Sequence, residues 1–191
     1  TFGKYWNNWV NYPGKTYSVG NFILDEAIRK VECKTKYILF TSQGNHTLAL
    51  LEIALEVSEE YNNTYKVIYK LHPKEYKELK NYQIKYKSYK NIEFIGNTDT
   101  YTLLSNASFV VGSFSTLLFE ALYYKKTPLV YDDIFSSEYI PDEVGIKFKN
   151  TKELLALINN NCQQSELNYK YYWEYDCITK LNEIAIKENL W

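Results

Sequence analysis

Several residue types and patterns are scarce in this sequence, and each scarcity argues against a class of protein. Arg29 is the single arginine among 191 residues, so the paired guanidinium contacts by which proteins recognise DNA bases are almost absent. The formal net charge of -1 provides no general attraction to nucleic acid or to an anionic membrane. No apolar run approaches the ~20 residues needed to span a bilayer. The composition therefore argues against a sequence-specific nucleic-acid binder.

Cysteine is scarce as well, and several catalytic signatures are missing. Cys33, Cys162 and Cys177 are odd in number and widely spaced, which argues against a disulfide framework and favours a reducing, cytoplasmic location. The motifs GxGxxG, GxxxxGK[ST], HExxH and GxSxG do not occur, and we expect no metal and no cofactor. No signal peptide begins the chain, and a start at Thr1 predicts a piece of a longer protein.

Short apolar segments alternate with segments of helical spacing from residue 37 onward. Strands are predicted at 37–42, 65–71, 91–96, 108–112 and 127–132, with an edge strand at 145–149. Helices are predicted at 21–32, 48–61, 74–82, 100–107, 115–126, 151–161 and 168–189. This alternation predicts an α/β fold: a single Rossmann-like domain with a mainly parallel sheet and helices on both faces. We expect an irregular lead-in or linker at 1–20, the domain at 21–191, and otherwise irregular chain at 133–150.

Small or polar residues follow every predicted strand. The carboxyl ends of parallel strands lie at one edge of a sheet, so these loops are expected to converge on one ligand site. The loop after the fourth strand begins with Gly112, which would allow a ligand close to the backbone. Its hydroxyls, on Ser113, Ser115 and Thr116, lie where a helix begins, and free N–H groups there suit a phosphate. Simple capping of that helix by serine is an equally good interpretation.

The loops after the first two strands contribute further candidates. His72 ends the second strand, where Pro73 restricts it to an extended conformation, and it is suited to donate a hydrogen bond to a phosphate. The alternative for His72 is a hydrogen bond to backbone. Most lysines of the basic stretch 66–90 are predicted to be solvated, and Lys70 is the one placed near the site. Gln43 belongs to the polar loop after the first strand.

Two acidic positions complete the set of candidates. Glu120 lies four residues after Thr116 on a helix that is otherwise apolar, so its carboxylate needs partners. Those partners would be ribose hydroxyls or, alternatively, a lysine such as Lys125 or Lys126. The pair Asp132-Asp133 is suited to hold a metal ion, but adjacent acids after a strand more often begin a turn.

Three segments, VIYKLHP (67–73), NIEFIG (91–96) and LLSNASFVVGSFSTLLFEALYYKKTPLVYDD (103–133), resemble one half of a known enzyme class. They are similar to the carboxyl-terminal donor-binding domain of GT-B-type glycosyltransferases, which have two Rossmann domains. The resemblance is nearest to capsule polysaccharide synthases, polysialyltransferases and teichoic-acid glycerophosphotransferases, which share His-Pro and Ser/Thr motifs. The matching positions are His72-Pro73 and Ser113 with Ser115-Thr116.

The resemblance implies a site for a nucleotide-activated donor, with a cytidine or uridine nucleotide. It implies that His72 stabilises the leaving phosphate, that Glu120 binds the ribose, and that the base stacks on the 96–98 loop. Together with the loop analysis, it predicts a donor site formed by Gln43, Lys70, Gly96, Asn97, Gly112, Ser113, Ser115, Thr116 and Glu120. The paired-Glu spacing of retaining families is absent, because residue 113 is Ser, which favours an inverting enzyme.

The function implied is the donor-binding half of a glycosyltransferase in bacterial surface polysaccharide synthesis. A missing amino-terminal domain would bind the glycan or lipid-linked acceptor, so this chain alone should bind nucleotide but transfer little. The whole protein would lie in the cytoplasm, with peripheral association with the inner face of the membrane left open. Two alternatives remain: a sugar-nucleotide epimerase of the same architecture and a non-catalytic Rossmann-like interaction module. Nucleotide affinity separates the module from both enzymes, and product analysis separates the two enzymes.

Overall fold

The computed structural model describes residues 1–28, 36–44, 48–62, 64–162 and 169–190. Six strands form one parallel sheet in the order β3-β2-β1-β4-β5-β6. In chain order they are β1 Tyr37–Thr41, β2 Lys66–Lys70, β3 Ile92–Ile95, β4 Phe109–Gly112, β5 Pro128–Tyr131 and β6 Ile146–Phe148. The predicted Rossmann-like α/β fold with a parallel sheet is confirmed, and so is the edge strand.

The helices connect successive strands and cover both faces of the sheet. Their bounds are α1 Lys4–Asn7, α2 Phe22–Ile28, α3 Leu48–Glu60, α4 Leu79–Lys85, α5 Thr100–Asn106, α6 Thr116–Tyr123, α7 Ile134–Tyr139, α8 Thr151–Asn159, α9 Tyr169–Tyr172 and α10 Cys177–Lys187. Two 3-10 helices lie at Pro73–Glu78 and Asp142–Val144. Within the described ranges, no helix is both long and apolar enough to cross a membrane.

Each face of the sheet has its own hydrophobic core, because successive side chains of a strand point in opposite directions. Ile38 and Phe40 of β1 pack with α3 and α8, whereas Leu39 between them packs with α5 and α6. All five residues of β1 are buried, which explains why its sequence is apolar without alternation. The central strands are therefore held from both sides, and their carboxyl ends are rigid supports for the loops that follow.

The structure differs from the sequence prediction in several segments. The helix predicted at 74–82 begins as the 3-10 helix Pro73–Glu78 and continues as α4 to Lys85. The segment 133–150, predicted to be irregular, contains α7, because Asp133 accepts a hydrogen bond from the Ser136 N–H and caps it. The helix predicted at 168–189 is two helices separated at 173–176, where Asp176 has a left-handed conformation with φ of 59°. Residues 29–32 of the helix predicted at 21–32, together with Cys33 and the start of the 168–189 segment, lie outside the described residues.

Residues near the amino terminus pack against α6 and α9 through an aromatic cluster. Tyr5 is buried and stacks on Phe119, with ring centroids 5.7 Å apart. The indole N–H of Trp6 donates to the Tyr172 carbonyl at 2.8 Å, and that of Trp173 donates to the Phe119 carbonyl at 2.6 Å. The first residues, predicted to be irregular, thus contain the short helix α1 and contribute to one of the two cores.

The strand order reverses between β1 and β4. From β1 the chain builds outward to β2 and β3, then returns to the other side of β1 to add β4, β5 and β6. Connections on the two sides of this point leave in opposite directions, which opens a crevice at the carboxyl ends of β1 and β4. The fold therefore places the loops after β1, β2 and β4 around one opening.

Candidate functional site

A cavity of about 260 Å³ lies in this crevice, between the ends of β1 and β2 and the start of α6. Its polar lining residues are Thr41, Ser42, Gln43, Lys70, His72, Tyr76, Thr100, Ser115 and Thr116. Five of the ten residues predicted to form the donor site, Gln43, Lys70, His72, Ser115 and Thr116, therefore share one opening. The convergence of loops expected from the strand pattern is present at this edge of the sheet.

His72 is half-buried and fixed by its neighbours in the chain. It precedes the 3-10 helix Pro73–Glu78, and its Nδ1 accepts a hydrogen bond from the Lys74 backbone N–H at 3.2 Å. Because a backbone N–H can only donate, Nδ1 must be unprotonated, and the neutral ring then carries its proton on Nε2. The imidazole of this cavity residue is therefore a hydrogen-bond donor, which suits a phosphate oxygen.

Lys70 brings a buried positive charge to the cavity. The residue is only 5 % exposed, and its Nζ lies 3.2 Å from the Tyr76 hydroxyl and 3.4 Å from the Leu71 carbonyl. None of the ion pairs in the described part of the chain involves Lys70. A buried ammonium without a counter-ion is costly, so an anion in the cavity would complement it.

The start of α6 forms the opposite wall. Ser115 is buried and caps the helix, since its Oγ accepts a hydrogen bond from the Leu117 N–H at 3.3 Å. The capping interpretation of Ser115 is therefore confirmed, although the residue also lines the cavity. Thr116 is exposed and begins the helix. The positive end of the helix dipole points to the same opening as Lys70 and His72.

Ser113 and Gly112 do not line the cavity and have other structural roles. The Ser113 side chain is fully buried, and its Oγ donates to Asp133 Oδ2 at 2.7 Å. A Cβ on Gly112 would lie 2.5 Å from the Thr41 Oγ1, so this glycine allows β4 to pack against the end of β1. The structure thus explains both residues by contacts inside the protein.

The loop after β3 is set back from the cavity. Gly96 is buried, and a Cβ there would be in ordinary contact with Leu79 and Tyr76, at 3.4 and 3.5 Å. Asn97 is exposed and does not line the cavity. Thr100, at the start of α5, is the residue of this region that does line it. A role for Gly96 and Asn97 in stacking on a base remains a prediction.

Glu120 lies half-buried on α6, and its Oε2 is buried without a hydrogen-bond partner in the described structure. Neither Lys125 nor Lys126 forms an ion pair with it there, so that alternative is not observed. Burial raises the pKa of the Glu120 carboxyl to about 7, although the positive charge of Lys70 acts to lower it. The hydroxyl of Tyr124, one turn further on, is a second buried atom without a partner. Both atoms belong to α6 and its C-cap residue, and a buried polar group at each place requires a hydrogen-bond partner.

Two residues beside the cavity, Ser42 and Glu75, were not among the site residues that the sequence predicted. Ser42 and Glu75 are buried together, and the Ser42 hydroxyl donates to the Glu75 carboxylate at 2.6 Å. The spacing His72-x-x-Glu75 is that of a capping box and would have identified Glu75 as a helix-start residue. Nothing local in the sequence connects Glu75 with Ser42, which is 33 residues earlier.

The acidic pair after β5, Asp132 and Asp133, makes contacts within the protein. Asp133 caps α7 and accepts from Ser113, while Asp132 lies 3.8 Å from the Lys149 ammonium. The pair therefore precedes a helix, which Asp133 caps, where the sequence predicted the start of a turn. Across the described residues, no group of three or more His, Cys, Asp and Glu side chains is arranged to hold a metal ion. His46, the second histidine, lies outside the described residues.

Several solved structures share this fold. The UDP-GlcNAc 2-epimerase of Methanocaldococcus jannaschii matches 90 % of this chain and 55 % of its own length, with 19 % identity and a TM-score of 0.61. Staphylococcus aureus MnaA with UDP matches 97 % and 57 %, with 17 % identity and a TM-score of 0.56. The pneumococcal O-GlcNAc transferase GtfA matches 95 % and 42 %, with 11 % identity and a TM-score of 0.52. The chain thus spans about half the length of these proteins, and identities this low show the fold alone.

Sequence comparison is more specific. No curated protein sequence matches the chain significantly. The sequence model of one family, alpha-2,8-polysialyltransferase (POLYST), matches residues 12–132, which include β1 to β5 and all of the cavity lining. The match covers well over half of the chain, and the protein therefore belongs to the alpha-2,8-polysialyltransferase family.

Proposed function

We propose that this chain is the donor-binding domain of a glycosyltransferase that transfers sialic acid from a cytidine nucleotide. The observation that carries the proposal is the buried Lys70 ammonium, which makes no direct ion pair in the described structure and shares a cavity with His72 and the start of α6. Three sources of positive potential thus face one opening at the switch point of the sheet. Family membership supports sialic acid as the sugar transferred.

The donor's phosphate would lie between Lys70, the His72 Nε2–H and the first turn of α6. Its ribose would lie toward α5 and α6, where the Glu120 Oε2 lacks a partner. An ionised carboxylate can accept hydrogen bonds from both ribose hydroxyls, and these bonds would replace the water lost on burial. The donors to the anionic part of the nucleotide line the cavity, whereas Glu120, the acceptor for its sugar, lies outside that lining but close enough to Lys70 to feel its charge.

In the proposed reaction, a hydroxyl oxygen of the acceptor attacks the anomeric carbon of the sialic acid. The bond between that carbon and the phosphate oxygen breaks, and its electron pair stays on the phosphate. Lys70 and His72 stabilise this developing charge from positions fixed before the reaction begins. Attack opposite to the leaving group inverts the anomeric configuration. The acceptor proton would pass to a general base in the remainder of the protein, which would also bind the acceptor in bacterial surface polysaccharide synthesis.

Sugar-nucleotide epimerisation is the competing function, since the Methanocaldococcus jannaschii protein described above is by name a UDP-GlcNAc 2-epimerase. Its similarity to this chain extends to the fold and no further. Family membership favours transfer. Analysis of the products formed by the complete protein from a nucleotide sugar separates the two, because transfer yields a glycosylated acceptor, whereas epimerisation yields the epimeric sugar without any acceptor.

Calorimetric titration with CMP, CDP, UMP and UDP tests the donor site directly. We expect CMP to bind preferentially, and Lys70→Met to weaken binding about tenfold to a hundredfold, the cost of a hydrogen bond to a charged group. Lys66→Met is the matched control, because Lys66 lies in the same strand but is exposed at its opposite end and paired with Glu93. Equal affinities of the two variants would show that the phosphate does not bind at Lys70. His72→Ala should weaken binding in the same direction as Lys70→Met.

A further inference from the structure

One buried carboxylate connects two loops that border the donor cavity. Glu75 is 9 % exposed. Its Oε2 accepts a hydrogen bond from the Ser42 hydroxyl at 2.6 Å and another from the His72 backbone N–H at 3.0 Å. Its Oε1 accepts a third from the Tyr82 hydroxyl at 3.0 Å. Ser42 follows β1 and His72 follows β2, so a single side chain is bonded to the ends of two neighbouring strands.

These contacts go beyond the capping of a helix. A capping box requires only the bond from the His72 N–H, which the Glu75 side chain accepts. The bond to Ser42 reaches the loop after β1, and Ser42 Oγ in turn accepts a hydrogen bond from the Gly44 N–H at 3.1 Å. A continuous chain of hydrogen bonds therefore runs from Gly44 through Ser42 to Glu75. It holds the turn that brings Gln43 to the cavity, a turn in which Gly44 has a positive φ of 70°.

The charge of Glu75 is balanced by neutral donors. No ion pair in the described part of the chain involves it, so three hydrogen bonds replace its hydration. Burial, with the nearby carboxylate of Glu75, raises the pKa of the Tyr82 phenol far above its ordinary value, so Tyr82 remains a neutral donor. A carboxylate next to a phosphate site would repel the ligand if it faced the cavity. Here its lone pairs are taken up by protein donors.

We propose that Glu75 is a positioning residue of the donor site, which holds the Gln43 turn and the His72 loop in fixed relation so that the His72 Nε2–H faces the phosphate. The expected effect on donor binding rests on the proposed function, whereas the effect on the two loops can be tested without a ligand. Removal of the carboxylate should release both loops at once. The Lys74 N–H would then no longer be held against His72 Nδ1, and the imidazole would exchange between its two neutral tautomers.

The variants differ in which hydrogen bonds they retain. Glu75→Ala loses all three. Glu75→Gln keeps an oxygen for Ser42 and His72, and its amide N–H can donate to the Tyr82 hydroxyl, which accepts as well as donates. Glu78→Ala is the matched control, since Glu78 lies on the same 3-10 helix and its carboxylate accepts a hydrogen bond from the Asn81 amide at 2.6 Å.

The first readout is nitrogen-15 NMR of the histidines without ligand, with His72→Gln used to assign the two histidines of the chain. The unsubstituted protein, Glu75→Gln and Glu78→Ala should show a single tautomer with the proton on Nε2. Glu75→Ala should show a mixture. The second readout is CMP affinity, which Glu75→Ala should lower about tenfold or more, as residues behind a contact residue commonly do, while Glu75→Gln should stay within about threefold.

The two readouts separate the two proposals. If no nucleotide binds the unsubstituted protein, the proposed function is overturned for this chain, and the tautomer spectra still decide the role of Glu75. If Glu75→Ala matches Glu78→Ala in both tautomer and affinity, the positioning role is overturned. Should Glu75→Ala not fold, Glu75→Asp takes its place, because a carboxylate one methylene shorter cannot reach both loops. A single tautomer and unchanged affinity in that variant would likewise overturn the inference.

Discussion

The carboxyl of Glu120 should lower the stability of the protein as pH rises through the neutral range. Below pH 4.5, its ordinary pKa, the group is protonated in both the folded and the unfolded chain. Between pH 4.5 and about 7, the unfolded chain ionises first, so folding loses free energy; above about 7 the full loss remains. At about 1.4 kcal/mol per pH unit, that loss is at most ~3.5 kcal/mol, and we expect about 1–2 kcal/mol because the half-buried group is screened by water.

Glu120→Gln removes the ionisation and keeps the size of the side chain. Urea titrations at pH 4 and pH 8 measure the free energy of unfolding of the variant and of the unsubstituted protein. The difference between the two proteins is then compared at the two pH values, so that any effect of the amide that does not depend on pH cancels. We expect the variant to gain about 1–2 kcal/mol relative to the unsubstituted protein between pH 4 and pH 8. Glu59→Gln, an exposed position on α3, should gain nothing. An equal result for the two variants would refute the conclusion that Glu120 is buried without a partner.

Two further predictions concern the end of β4 and the loop that follows it. Ser113→Ala should cost about 1–2 kcal/mol in the free energy of unfolding, because it removes the donor to the Asp133 Oδ2, yet leave CMP affinity unchanged. Ser115→Ala should weaken CMP binding, and calorimetry of both variants distinguishes the two serines. Gly112→Ala should cost about 1–3 kcal/mol through overlap with Thr41. Adding Thr41→Ala should recover part of that cost, whereas strictly additive urea-unfolding energies in the double variant would contradict the overlap.

The fold was predictable where the sequence pattern is set by local geometry and uniform burial. The strands from β1 to β5 are apolar because both faces of the sheet are covered, and each is followed by residues of helical spacing. The break between α9 and α10 was not predictable in this way. There Asp176, which has a left-handed backbone conformation, directly precedes α10. The backbone N–H groups of Asp176 and Cys177 both donate to the Asp25 carboxylate, and Asp25 lies 151 residues before Asp176. A contact this distant leaves no local pattern.

The site was predictable in its location and only partly in its members. Parallel strands bring their carboxyl ends together, so the involvement of Lys70, His72 and Ser115 in one opening follows from strand order. Which of two nearby hydroxyls faces that opening depends on side-chain direction. Ser113 turns to Asp133, 20 residues later, and Ser115 turns to its own helix. Both residues are serines two positions apart in one loop, so neither residue type nor spacing tells which of them faces the cavity.

The aromatic contacts between α1 and α9 have a consequence for synthesis of the chain on the ribosome. Trp6 hydrogen-bonds to Tyr172, 166 residues later, and Tyr5 packs beside it. At translation rates of about 5–20 residues per second, roughly 8 to 33 s separate the emergence of these two segments. During that interval the sheet can assemble, while the apolar side chains of α1 await their partners. During synthesis the aromatic side chains of α1 therefore stay exposed until the segment containing α9 has emerged, and slower translation would prolong that exposure.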